Sequence, residues 1–208
     1  MLNHPEATAQ ALAILRQGTN FQWYVIALLA LAVYAYANEY SQRNWKGIAA
    51  GLSLYLVHWF YEILNALIQH FTGHALWTVP TGTSFLLLIG VGIELSFMFV
   101  VAGLALSKLL PVDPKLKILG INNRIVFAIA NAAFFSIVEI FLVKTPTFVW
   151  VYPWWGALPV FITVYIPFFL ISFLCYDWPP KVQRTFILTL AAVDILMLVV
   201  FAGVFHWI

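Results

Sequence analysis

Six stretches of mostly apolar residues divide this chain, near 21–38, 47–70, 83–108, 124–143, 156–176 and 185–207. The hydrocarbon core of a bilayer takes about 20 such residues per helical crossing. Within it, every backbone N–H and C=O must be satisfied inside the protein. Runs of this length therefore restrict the fold to a bundle of membrane helices. The ~10-residue alternating segments of a membrane β-barrel do not occur. Charged residues make up 9% of the chain and hydrophobic ones 63%, against ~25% and ~45–50% in soluble domains. Ten basic and eight acidic residues cannot cover a water-soluble domain of 208 residues. A soluble enzyme, a disordered chain, a disulfide scaffold and a nucleic-acid binder are excluded as classes. The lone Cys175 has no internal disulfide partner.

The expected architecture is one all-α polytopic membrane domain, residues 1–208, with six transmembrane helices and a short N-terminal interfacial helix. Residues 4–17 form that short helix, with Asn3 as cap, Pro5 in its first turn and Gly18 at its end. Leu12 and Leu15 beside Glu6, Gln10 and Arg16 suit the membrane surface; a frayed terminus is the alternative. Residues 1–20 have neither the basic start nor the apolar run of a signal peptide. No internal repeat is evident.

Basic residues set the expected orientation. With alternating sides, Arg43, Lys46, Lys108, Lys115, Lys117, Arg124, Lys181 and Arg184 share one side, and only Arg16 and Lys144 fall on the other. This places the basic loops in the cytoplasm and both termini outside, or lumenal.

The acids carry the functional information. Glu62, Glu94, Glu139 and Asp194 fall inside expected spans, where no Lys or Arg lies deep. A buried carboxylate without a cation costs several kcal/mol. At ~1.5 Å per residue, Glu62, Glu94 and Glu139 lie ~22, ~21 and ~22 Å above the cytoplasmic ends of three consecutive spans. Asp194 and His58 lie lower, at ~14 and ~17 Å. Tyr55, His58, Glu62 and Asn65 are spaced 3, 4 and 3, on one face of span two. His58 and Glu62 can then exchange a hydrogen bond, each favouring the charged form of the other. A hydrogen bond that only fixes helix packing is the bland account of such a pair.

Other spans add candidates. Gly90, Gly92, Ser96 and Gly103 give span three close approach or room for a ligand. Span four offers Asn131, span five Thr163, Tyr165 and Pro167, the last a cause of kinking. The loops 71–83 and 145–156 carry Trp77, Trp150, Tyr152, Trp154 and Trp155. An aromatic belt at headgroup level accounts for any single ring; their density also suits a lid over a cavity.

Three uses fit these acids. They can protonate an alkene or epoxide and stabilise a carbocation beside aromatic faces. They can relay protons in a coupled transporter, or hold a cation with His58. No HExxH pair, GxSxG, Walker loop, GxGxxG or CxxC occurs. His70, His74 and His206 sit near one membrane face, where ordinary exposed histidines are the simpler account than a metal site.

The pair His58-xxx-Glu62, with Glu94 and Asn131 on the next two spans, resembles the arrangement in emopamil-binding-protein-type sterol isomerases. Those enzymes protonate and shift a double bond with membrane acids and histidine. Small membrane terpene cyclases are similar in size and acid usage. The resemblance rests on these few positions, and no residue role is carried over from it.

The expected function is a membrane-embedded enzyme working without cofactor or metal. It would isomerise, cyclise or hydrate a lipophilic substrate such as an isoprenoid or sterol, drawn from the membrane lipids around it. Glu62 is the expected principal acid or base, tuned by His58. Glu94 and Glu139 would stabilise positive charge or relay protons. Tyr55, Asn65, Asn131 and Asp194 would bind or orient, and Trp77, Trp154 and Trp155 would line or cover the mouth. A proton-coupled transporter or an accessory subunit of a membrane complex are the alternatives.

Overall fold

The computed structural model describes residues 2–208. It is mostly helical, with α1 (Pro5–Ile14), α2 (Tyr24–Ser41), α3 (Trp45–Thr72), α4 (Ile93–Ser107) and α5 (Asn123–Leu142), followed by α6 (Ala157–Asp177) and α7 (Pro180–Val204). Helices α3, α5, α6 and α7 are long and apolar enough to cross a membrane. Helices α2 and α4 run beside them between the same two ends. Helix α2 starts where Gln22 N–H meets Ser84 Oγ and ends where Glu39 meets Lys108.

Helix α3 is the central post, packed on α2, α4, α6 and α7. Asn44 caps its start by accepting from Gly47 N–H, and Gly73, at φ 80°, ends it. Its 28 residues span ~42 Å, more than the ~30 Å of a hydrocarbon core. Small residues let α4 close on it. A Cβ at Gly103 would lie 2.8 Å from Ala50 O and 3.1 Å from Gly51 Cα, so the two backbones touch there.

The third apolar stretch folds differently from the expectation. Residues 83–92 are not helical: β2 (Leu86–Leu88) and β3 (Val91–Gly92) make a small antiparallel hairpin, and the helix begins only at Ile93. Gly82, at φ 75°, turns the chain into this segment, and Gly90 and Gly92 allow tight backbone approach within it. Leu86, Leu88, Ile89 and Val91 are buried against protein, so the run reads as a span by hydropathy alone. Non-helical backbone buried in this way is tolerated because it pairs. Ile93 N–H donates to Phe85 O, Val79 N–H to Ile89 O, and Arg16 N–H to Leu86 O.

A second loop locks onto the first. Strand β1 (Trp77–Thr78) pairs antiparallel with the later strand Val149–Trp150, Trp77 opposite Trp150. Helix α1 lies over this end, with Asn3 N–H bonded to Val151 O. It buries Ala7, Thr8 and Ala11, while Leu12 stays exposed. Its small-residue face, rather than the Leu12 side, therefore packs on the protein. The opposite end carries the basic residues: Arg124 holds Asp177, and Lys108 holds Glu39.

Candidate functional site

Below the paired loops lies a mostly apolar cavity of about 300 Å³. His58 and Glu62 reach it from α3, Glu139 from α5, Tyr165 from α6 and Trp77 from the first loop. Phe99, Phe135 and Phe168 supply aromatic walls.

Glu62 and Glu139 are both buried, without a lysine or arginine partner among the described residues. Their neutral partners differ. Trp77 Nε1 donates to both Glu62 oxygens, at 3.2 and 3.3 Å. Glu139 receives one short bond on each oxygen, from Trp150 Nε1 at 2.6 Å and from Tyr165 Oη at 2.5 Å. Glu139 is thus held with a donor on each oxygen. Glu62 is held by a single shared donor and keeps capacity for a further proton or ligand.

His58 Nε2 lies 3.4 Å from Glu62 Oε1. That is contact without hydrogen-bond alignment, because both ring nitrogens are buried and lack a hydrogen-bond partner among the described residues. The ring is fixed instead by stacking on Phe99, with centroids 4.1 Å apart, and by the edge of Phe168. A 98% buried imidazole with two idle nitrogens faces the cavity beside a carboxyl.

The backbone is shaped for this cluster. A Cβ on Gly90 would strike Trp77 Nε1, lie 2.5 Å from Asn65 Nδ2 and lie 2.6 Å from Glu62 Oε2. Only glycine lets the hairpin press on these three side chains. Asn65 donates to Trp77 O at 2.9 Å and accepts from Leu76 N–H at 2.8 Å; it positions the tryptophan rather than touching the cavity. Helix α6 winds as a π-helix over Phe161–Tyr165, just before Pro167. Such a turn commonly accompanies a functional site, and here it ends at Tyr165, the residue that meets Glu139.

The remaining expected site residues lie elsewhere. Glu94 sits in the first turn of α4, where it accepts from Ser84 N–H at 2.7 Å, Thr83 Oγ1 at 2.5 Å and the Tyr24 hydroxyl. It fastens the hairpin to α4 and α2, at a helix N-terminus that favours a negative charge, and does not line the cavity. Asp194 is buried on α7 with both oxygens unpartnered among the described residues. Helix α7 contributes nothing to the cavity wall, because it packs chiefly on α3. Asn131 folds back on Phe127 O of its own helix. Tyr55 joins Ser96 at 2.9 Å and ties α3 to α4. Trp155 stacks behind Trp77, centroids 5.7 Å apart, whereas Trp154 is 60% exposed and covers nothing. Trp150 and Tyr165, the donors to Glu139, were not among the expected site residues.

Four helices long and apolar enough to cross a membrane define the class, a multi-pass membrane protein. Residues 5–203 match an uncharacterized membrane protein family, and the chain belongs to it. An uncharacterized protein of Archaeoglobus fulgidus is 46% identical over 208 residues, covering 98% of this chain and 99% of the relative. No solved structure matches.

Proposed function

We propose that this protein is a membrane-embedded acid–base enzyme that isomerises, cyclises or hydrates a lipophilic, unsaturated substrate without a redox cofactor. The observation that carries this reading is the pairing of Glu62 and Glu139, on different helices, in one mostly apolar cavity free of lysine and arginine.

The two acids have separate roles. Glu62, in its protonated form, donates to an alkene or epoxide, as its open acceptor capacity suits. With an alkene the bond to hydrogen forms at one carbon and positive charge develops at the next; with an epoxide it forms at the oxygen, the C–O bond breaks and the charge develops at the carbon released. Glu139, as a carboxylate held by Trp150 and Tyr165, lies ready to stabilise that charge. Phe99, Phe135 and Phe168 present aromatic faces to it. Loss of a proton from a neighbouring carbon to the freed Glu62 carboxylate or to His58 closes an isomerisation, or a cyclisation once a second double bond has attacked the cation; capture of water, its extra proton passing to the same bases, closes a hydration. The apolar wall limits water to that last step. Glu94, Asn131 and Asp194 have no part in this scheme.

The same reading takes α2 and α4 as two further membrane crossings, six in all. It places the basic end in the cytoplasm, both termini outside, and α1 at the outer interface. Substrate then comes from the surrounding lipids.

Untargeted lipid profiling tests the proposal, with cells making the intact protein, Glu62→Gln or His58→Ala. A product lipid should accumulate with the intact protein and fall by about 10²–10⁴-fold with Glu62→Gln. Identical profiles from all three, each inserted and folded, would overturn it.

A further inference from the structure

Beside the cavity runs a second, more open apolar groove of about 490 Å³. It lies between α2, α4 and α5, with Leu28 and Leu31 on one wall and Phe134 and Phe135 on the other. Along α4 it extends from Glu94 to Leu106, ~18 Å of helix. Cavity and groove share three residues: Met98, Phe134 and Phe135. Met98 is 40% exposed and Phe134 59%, so the partition between them stands at the lipid-facing surface of the bundle and consists of flexible or rotatable side chains.

We propose that the substrate is a linear polyprenyl chain whose reacting end lies between Glu62 and Glu139 and whose tail lies in this groove, reached sideways from the bilayer between α4 and α5. The inference rests on the acid–base reading above and names its substrate class. Three arguments select that occupant. The groove continues the cavity, so one molecule can fill both. The partition of Met98, Phe134 and Phe135 admits a single chain that bends around it, whereas a rigid fused-ring system would have to displace it. The chemistry favours polyprenyl over acyl chains, because protonating a trisubstituted double bond gives a tertiary cation and protonating an acyl-chain alkene gives a less stable secondary one. Glu94 bounds the groove at one end but is engaged by Thr83, Ser84 and Tyr24, so the tail meets no free charge.

Binding, without turnover, tests this. Native mass spectrometry of the purified full-length protein in nanodiscs would compare geraniol, farnesol and geranylgeraniol, which have ten, fifteen and twenty carbons, with cholesterol as the fused-ring probe. Burial of the added carbons should tighten binding by at least about tenfold from the shortest to the longest alcohol. Cholesterol should bind more weakly than geranylgeraniol. Ala105→Trp places bulk in the groove at an exposed position outside the cavity. It should remove most of the chain-length gain while leaving geraniol binding within about twofold. Equal affinities along the series, unchanged chain-length dependence in Ala105→Trp, or preference for cholesterol would each overturn the proposal and identify the groove as a seat for ordinary bilayer lipid. Glu62→Gln should retain the chain-length series. A lost product lipid in that variant with no chain-length preference would therefore sink this inference and leave the acid–base reading standing.

Discussion

At the basic end of the bundle, Arg124 is 2% exposed and grips Asp177 through Nε at 2.6 Å and Nη2 at 3.0 Å. Its remaining nitrogen reaches Pro111 O and Asn123 Oδ1. Glu39, equally buried, meets Lys108 and the amide of Asn44. At the aromatic end Glu62 and Glu139 are as deeply buried, yet their partners are Trp77, Trp150, Tyr165 and an unaligned His58. The first arrangement cancels charge and fixes helix ends. The second leaves acids without a cation, beside an open volume. Buried ionisable groups are costly in either place, but only the second leaves acceptor and donor capacity unspent beside an open volume. Burial alone therefore does not distinguish the two ends; the absence of a compensating cation, together with a cavity, does.

This contrast predicts different failures. Arg124→Ala should lower stability by about 3–5 kcal/mol, because it strands Asp177 and two acceptors in a partly buried site. Thermal unfolding in detergent reads the loss, and Arg124→Ala combined with Asp177→Ala should lose less than the sum of the two single changes. Glu139→Gln should do the reverse. It keeps shape and the bond from Trp150 to its amide oxygen, and its NH2 can donate to Tyr165 Oη where the carboxylate accepted from it, so unfolding should shift little. Product formation should fall by about 10²–10³-fold if a carboxylate there stabilises positive charge. Equal unfolding penalties in Arg124→Ala and Glu139→Gln would erase the distinction between the two ends.

The face Tyr55–His58–Glu62–Asn65 was legible in the sequence because helical spacing fixes which side chains share a side. The structure keeps all four on α3 but gives only His58 and Glu62 to the cavity. Helix phase says which way a residue points, not which neighbour meets it. The setting of Glu94 was not legible because hydropathy cannot tell a buried hairpin from a crossing helix: the leucines at 86–88 score alike in both. The glycines at 82, 90 and 92 were the available sign of a break. Trp150 was visible only as one ring in an aromatic loop. Its bond to Glu139 depends on the pairing of Trp77 with Trp150, a contact between distant loops that no local pattern encodes. Tyr165 shared its span with Pro167, and a polar hydroxyl beside a helix-disturbing proline was the one clue to its role.

Gly90 tests whether the aromatic end depends on close backbone approach. Gly90→Ala puts a methyl where Trp77, Asn65 and Glu62 converge. Overpacking of this kind costs about 1–3 kcal/mol, and the displaced Trp77 should lower activity as well. Gly120→Ala at the basic end meets no atom within 4 Å, yet its φ of 82° still strains an alanine. It should cost stability with activity per folded molecule unchanged. Loss of activity in both variants would mean that any local strain disables the protein, and the cavity would then have no special claim.

The smallest effect separates two adjacent tryptophans. Trp155 is buried and lies flat against Trp77, whereas Trp154 is largely exposed and touches its neighbours by ring edge and tilt. If the aromatic loop acts through the wall it builds behind Trp77, Trp154→Ala should change stability by no more than about 0.5 kcal/mol and leave the product profile intact. Trp155→Leu should loosen Trp77 and reduce product at a temperature where the variant is still folded. A Trp154 variant that inserts and folds normally but loses product would reverse this ordering. It would place the decisive contact at the membrane surface, with substrate passing the loop tip rather than between α4 and α5.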